Sequence, residues 1–516
     1  MFSLTYIGHA GWICSTRDFK CAFDPWLAEA GAFLDQWYPF PDNTNVDPHE
    51  VFKDLDFLYI SHAHEDHLSE NTLRYASRDT KIIIPDFQDK TLHDKLSSLG
   101  FRSIHAVKED EVVSMKGIDV RVIKDEAFIY NDSAILITDG SQKILNLNDC
   151  HADFSSLRRE VGDIDLLLLQ ASSANYWPCA YDYEETTKRK LGQKKRENTA
   201  FRAQKYAKIL NARMTIPNAG PPVVRGEKFR RWNFDRREIW NPFCLVDDSC
   251  KFLTSQGVPS QFLLPLDKVF VSEEITFDLD KDLRSRVYDN VDKYTEGYLK
   301  KIEANPHPTR TVTEDEMKKS VSKFLRQAKK ISRISKFYTK KIDFPILFDF
   351  KHLGKKVVDF RSEEVVQEYD GQNCGYYFEM DPASVALTFR EESVDFEHYL
   401  LGCDFECSRD PDTYNEFLFT TLKNFDTKRF MMSESLYADM NNVLDELFVM
   451  NHEGKEYEVQ RYCPHMFADL EQAGYVDEDD NLVCPLHNWK FNIKTGECVD
   501  KKGYCIKIQE RNKDDE

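Results

Sequence analysis

Over the first 170 or so residues, short apolar runs alternate with turn residues, the pattern of strands in a layered α/β domain. Met1 to Ile7 reads as the first strand, and Phe57-Leu58-Tyr59-Ile60 as a buried one that delivers Ser61 and the residues after it to a loop. Lys81 to Pro85, Ile118 to Ile123, Ala134 to Thr138, Ile144 to Leu147 and Leu166 to Leu169 read as further strands. The pattern then changes. Residues 182 to 213 predict a basic helix, and residues 314 to 341 an amphipathic one, with Met317, Val321, Phe324, Leu325, Ala328, Ile331 and Phe337 near helical spacing. Strands over Phe344 to Phe350 and Tyr376 to Met380 follow, then a helix over Pro411 to Phe425 and a charged tail from Glu510.

At 516 residues the chain exceeds what one core supports, so several domains are expected: 1–250, 251–430 and 431–510. The balance of 69 basic against 89 acidic residues gives −20. This argues against nucleic acid or an anionic membrane as the main partner. No run approaches the roughly 18 apolar residues of a membrane span. The 13 cysteines are scattered and odd in number, which fits free thiols in a reducing cytoplasm.

Against that acidic background, basic residues concentrate at Lys188, Arg189, Lys190, Lys194, Lys195, Arg196, Arg202, Lys205, Lys208 and Arg213. They resume at Arg225, Lys228, Arg230, Arg231, Arg236 and Arg237. The stretch reads either as a solvated face or as a wall that binds anions.

Two motifs carry chemistry. Cys463-Pro464-His465 and Cys484-Pro485-Leu486-His487, with 18 residues between His465 and Cys484, match the ligand set of a Rieske [2Fe–2S] cluster. A Cys₂His₂ zinc site is the alternative, but it normally pairs Cys with Cys and His with His. The second motif is His62-Ala63-His64-Glu65-Asp66-His67, which puts ligand-type side chains in a loop straight after a strand. A compact loop can aim His62 and His64 at one metal and Asp66 and His67 at a neighbour, and imidazole suits iron and zinc alike.

With Ile7-Gly8-His9-Ala10, Phe23-Asp24-Pro25-Trp26 and Asn148-Asp149-Cys150, the His run resembles the metallo-β-lactamase fold superfamily. That resemblance implies an αββα sandwich in which Asp149 bridges two metals, while His9 is structural. The family also supplies a histidine between the His run and the bridging Asp, and another near the end of the domain. Here Phe128 falls near the first of these positions, so Glu126, Asp125 or Asp132 stands in, with His151 a further candidate. A carboxylate in that place favours iron.

The C-terminal motif, followed by Trp489-Lys490-Phe491-Asn492 and Thr495-Gly496-Glu497, resembles Rieske domains of the oxygenase and ferredoxin type. Both motifs together, with Arg409-Asp410-Pro411-Asp412-Thr413-Tyr414 and His487-Asn488-Trp489-Lys490, resemble the CMP-N-acetylneuraminic acid hydroxylase-like family, here with the Rieske domain last. The expected architecture is therefore α/β: a metallo-β-lactamase-like αββα sandwich, a mixed α+β extension and a small all-β Rieske domain.

A Rieske cluster fused to a metal domain usually feeds electrons to an O₂-activating metal. The expected function is a mono-oxygenase with an external electron donor, a ferredoxin or a flavin or haem reductase. It would act on an anionic small molecule such as CMP-N-acetylneuraminate. Cys463, His465, Cys484 and His487 would hold the cluster. His62, His64, Asp66, His67, Asp149 and Glu126 would hold two iron ions, with Asp66 and Asp149 the catalytic carboxylates. The competing expectation is a zinc hydrolase whose Rieske domain senses redox state.

Overall fold

The computed structural model describes residues 1–126, 131–389, 396–465, 467–484, 486, 488–500 and 503–511. Two sheets face each other in the N-terminal part. The first has eight strands in the order Ile275–Asp278, Lys268–Val271, Phe2–Gly8, Gly11–Ser15, Lys20–Phe23, Phe57–Tyr59, Ile82–Pro85 and Ile104–Val107. The second has six, in the order Met214–Asn218, Leu166–Gln170, Lys143–Asn148, Asn131–Thr138, Ile118–Glu126 and Val113–Met115. Lys268–Val271 pairs antiparallel with Phe2–Gly8, so the first sheet draws strands from beyond residue 250, as far as Asp278.

Phe2, Leu4, Trp12, Phe57, Ile135, Ile137, Leu166 and Leu168 fill the space between the sheets. The outer faces are covered as well. Leu58, Ile60, Ile82 and Ile84 pack with Val51, Leu73, Leu92 and Leu96 outside the first sheet. Leu145, Leu167 and Leu169 pack with Leu157, Ala203, Tyr206 and Leu253 outside the second. Strands buried on both faces read as unbroken apolar runs, which is why they stood out in the sequence.

A five-stranded sheet, in the order Val366–Glu368, Lys355–Val358, Ile346–Asp349, Tyr376–Met380 and Phe405–Arg409, follows in the chain. It shares a core with the helix Glu314–Ile334, where Phe324 packs against Phe348, Phe350 and Phe425. That helix starts on a Thr313/Glu316 capping box. It stops well before 341, where the Glu434 carboxylate accepts hydrogen bonds from Ser335 Oγ and the backbone amides of Lys336, Phe337 and Tyr338 at 2.6–3.1 Å. The helix expected over 411–425 is shorter, Glu416–Lys423, with Asn415 as its cap.

The last unit carries two three-stranded sheets: Leu447–His452, Lys455–Gln460 and Ile508–Glu510, then Tyr475–Val476, Asn481–Val483 and Lys490–Asn492. No described helix is long and apolar enough to cross a membrane. All 13 cysteines are free of disulfides.

Candidate metal centre

The strand Phe57–Tyr59 lies between parallel neighbours and leads through Ile60 to Ser61. The His run that follows curls into a turn in which the amides of His67 and Leu68 donate to the His64 carbonyl. Ser69 then caps the helix Glu70–Leu73 and ends the loop. Across the sandwich, the strand Lys143–Asn148 ends with a register shift, and Asn148 turns to φ 50°, which delivers Asp149 to the same edge. His9 comes from the first strand by way of Gly8, whose φ is 113°. A Cβ on Gly8 would sit 2.6 Å from the Asn43 amide nitrogen, so only glycine fits there.

These elements bring the predicted ligands together. His62, His67 and Asp149 form one group whose ligand atoms all lie within 4.8 Å of one another, and His9, Asp66 and His67 form a second. His62 Nε2 is 2.8 Å from His64 Nδ1, and His67 Nε2 is 3.3 Å from Asp149 Oδ1. The sequence reading kept His9 out of the ligand set; its Nε2 is 2.9 Å from Asp66 Oδ2.

Each histidine of the run also has a carboxylate on its other nitrogen. Asp132 Oδ1 is 3.1 Å from His62 Nδ1, Asp24 Oδ2 is 2.9 Å from His67 Nδ1, and Glu397 Oε2 is 3.4 Å from His64 Nε2. Such outer partners fix ring orientation and tautomer in metal sites. Asp24 is fully buried and also accepts from the Ser61 amide, Ser61 Oγ and Asn148 Nδ2.

Charge and orphaned atoms both fit metal. Burial opposes charge on His67, but Asp149, Asp66 and Asp24 outweigh it and hold the imidazole well above its ordinary value. His62 rises too: burial works against it, and Asp132 and Asp149 prevail. Asp66 and Asp149 are held low because the facing histidines outweigh burial. His67 Nε2, Asp66 Oδ1 and Asp149 Oδ1 are nevertheless buried with no hydrogen-bond partner among the described residues. A cation would satisfy all three, and the mixed imidazole and carboxylate set suits iron or zinc.

The replacement ligands sort differently. Asp132 is engaged on the outer nitrogen of His62. Asp125 lines the adjoining cavity, its carboxyl pushed up to about 7 by burial and by Asp132. Burial, helped by Arg202, pushes the His151 imidazole down to about 3. Glu126 ends the strand Ile118–Glu126, but its side chain lies outside the described residues, as does Phe128.

The cluster motif lies in two matching loops. The Cys463 amide donates to the Ala468 carbonyl and the Phe467 amide to the Cys463 carbonyl; Cys484, Trp489 and Asn488 repeat both bonds. Phe467 and Asn488, each four residues after its cysteine, both take left-handed φ, 56° and 55°. Both cysteines are buried in one apolar cluster with Leu486 and Trp489. The His465 ring stacks on Trp489, centroids 4.0 Å apart and planes within 10°. This pair of thiolate- and imidazole-bearing loops fits a [2Fe–2S] cluster. His487 lies outside the described residues.

A cavity of about 550 Å³ joins the two sites: His62, His64, Asp66 and Asp149 line one side, and His465, Leu486 and Trp489 line another. Lys194, Lys195 and Arg202 of the helix Glu185–Ile209 reach it, as do Lys423 and Arg429 from the stretch between the sandwich and the Rieske domain. The second half of the basic stretch does not. Arg225 pairs with Asp35, Arg230 with Glu303, Arg231 with Glu185, Arg237 with Asp247 and Asp248, and Lys228 with Glu379 and Glu406. Arg236 is buried against the Pro222 carbonyl and Asn233. Those residues are structural cations rather than a substrate wall.

Fold and site define a metallo-β-lactamase fold domain joined to a C-terminal Rieske domain. Family profiles agree: a β-lactamase superfamily domain matches residues 3–217 and a Rieske [2Fe-2S] domain residues 430–505. An Rv3818-like, SCP2-like domain matches residues 315–439 between them. Along its whole length the chain resembles a protein of Mycolicibacterium smegmatis described as a Rieske 2Fe-2S iron–sulfur protein, 27% identical over 98% of this chain and 99% of the relative. The cytidine monophosphate-N-acetylneuraminic acid hydroxylase of Mus musculus is 30% identical over 28% of this chain and 26% of its own. Among solved structures, CmlA, a diiron β-hydroxylase from Streptomyces venezuelae, matches with TM-score 0.36 and 16% identity over 53% of this chain and 54% of that one.

Proposed function

We propose that this chain is a Rieske-dependent mono-oxygenase. Two electrons from an external ferredoxin or reductase, O₂ and two protons convert an anionic substrate R–H to R–OH and water. The observation that carries the reading is the shared cavity: the loop of the cluster ligand His465 and the loop of His62, His64 and Asp149 open onto the same space.

In this scheme His62, His64, Asp66, His67 and Asp149, with Glu126 as the further carboxylate, would hold two iron ions, which would supply the chemistry of O₂ reduction. The protein's own residues do the rest. Asp132 and Asp24 keep the imidazoles of His62 and His67 turned to the centre. Lys195 and Arg202 supply positive charge for a phosphate or carboxylate, Lys194 being paired with Asp500 at 2.7 Å, and Arg202 suits forked bonds to such groups. Tyr176, Trp177 and Trp489 give the cavity apolar faces against which the substrate body packs and which exclude water. A sugar nucleotide such as CMP-N-acetylneuraminate, on which the mouse relative acts by name, is an anion of this class.

The test is metal analysis with anaerobic reduction followed by EPR and Mössbauer spectroscopy. About four irons per chain, a Rieske signal and a coupled iron pair are expected, with O₂ consumed on reduction. Iron confined to the cluster, zinc in the His62 centre and no O₂ uptake would refute the reading in favour of a hydrolase.

A further inference from the structure

Two contacts cross between the metal loop and the SCP2-like domain, in opposite senses. His64 Nε2 lies 3.4 Å from Glu397 Oε2, and Glu65 Oε1 lies 3.0 Å from His398 Nδ1. Adjacent residues on each side thus present an acid and an imidazole to their counterparts, and Glu397 and His398 are both buried in the joint. Glu397 and His398 belong to the helix Phe396–Leu401, far in sequence from residues 64 and 65.

The Glu397 contact is the more telling. His64 turns Nδ1 toward His62 Nε2, so its Nε2 is the outer nitrogen. A carboxylate there completes a pattern that Asp132 begins on His62 and Asp24 on His67. The other Glu397 oxygen, Oε1, is 2.9 Å from Lys423 Nζ, which keeps a buried carboxylate ionised and ready to accept from His64. Accepting the Nε2 proton fixes the tautomer that leaves Nδ1 free to bind a metal, and makes that nitrogen a stronger donor.

We propose that Glu397 is a positioning residue of the metal centre, contributed by the SCP2-like domain, so that the centre reaches full metal affinity only with that domain docked. The proposal rests on the reading that the His62–Asp149 centre holds metal, and its test separates the two.

Full-length protein, freed of metal at that centre but with its cluster intact, is titrated anaerobically with ferrous iron against a competing chelator. Mössbauer spectra are recorded at saturation, and cluster absorption reports folding. Glu397→Gln is expected to bind iron ten- to a hundredfold more weakly than the parent, with altered Mössbauer parameters. Glu397→Asp, which keeps the carboxylate, should recover part of the loss and also serves if the Gln variant does not fold. His398→Gln cuts the neighbouring tie without touching His64 and should leave affinity and spectrum at parental values. Parental affinity and spectrum in Glu397→Gln, or an equal shift in His398→Gln, overturns the role of Glu397 while the centre stands. A parent that binds no metal beyond its cluster overturns both.

Discussion

Replacing Asp24 by Asn tests whether the metal loop is held from behind by one buried carboxylate. Asp24 Oδ2 accepts from Ser61 Oγ and Asn148 Nδ2 at 2.6 Å and from His67 Nδ1 at 2.9 Å, while Oδ1 takes the Ser61 amide at 2.8 Å. An amide keeps the Oδ1 bond but puts an NH₂ group where three donors converge. Each lost bond costs about 1–2 kcal/mol, so the site should weaken by about 3–6 kcal/mol. In a multidomain chain a single melting curve blurs such a loss, so hydrogen exchange by mass spectrometry is the better assay. Protection of peptides covering residues 57–69 and 143–149 should fall about 10²- to 10⁴-fold, and that of Lys455–Gln460 in the Rieske domain should not change. A fall of less than about fivefold, near 1 kcal/mol, would refute the argument that this carboxylate organises the loop.

Metal loading should depend on pH with a definite sign. Both His62 and His67 favour the protonated form more than a free imidazole does. Loading must therefore displace protons over a range reaching above the ordinary imidazole value, and affinity should climb with pH there, by up to about tenfold per unit for each proton displaced. By linkage, the stability these two histidines give the metal-free fold is present below the ordinary imidazole value and is lost as pH rises through their raised values. Chelator-buffered titrations across about pH 6 to 9 with proton counting check this, and a flat profile would contradict it. Lys195, pushed down to about 8 chiefly by burial, should lose its charge above that pH, so binding of an anionic substrate should weaken there. Equilibrium binding across that pH in parent and Lys195→Met reads it out, the variant lacking the step. Trp489→Ala removes the surface on which His465 stacks and should cost about 3–5 kcal/mol within the Rieske domain, seen as faster loss of cluster absorption in denaturant. His465→Ala or Cys463→Ser should abolish the Rieske EPR signal while leaving residues 57–69 protected from exchange.

Local signals were the readable ones. The strand Phe57–Tyr59 and its His run sit together in sequence, and burial on both faces wrote the strands as apolar runs. The two cysteine loops are likewise self-contained, each closed by bonds within six residues. What the sequence hid was long-range. Glu397 reaches His64 from a separate domain, and no spacing marks it. Asp24 lay inside the motif Phe23-Asp24-Pro25-Trp26, but only the fold shows the donors it gathers. The arginines from 225 to 237 read as either a solvated face or an anion wall because Asp35, Glu303 and Asp247, which engage three of them, are distant or sit on other elements. The end of the helix Glu314–Ile334 is hidden for the same reason, since Glu434, whose carboxylate holds the amides of residues 336 to 338 just beyond it, comes about a hundred residues later.

The cavity between the two centres has a consequence for timing. Whatever occupies it lies across the space between the source of electrons and their sink, so the occupant becomes part of the medium through which charge must tunnel. On the proposed reading, a fitted organic molecule would couple the two better than loose water. Reduction would then keep pace with substrate arrival, and an idle enzyme would spend little reductant on oxygen alone.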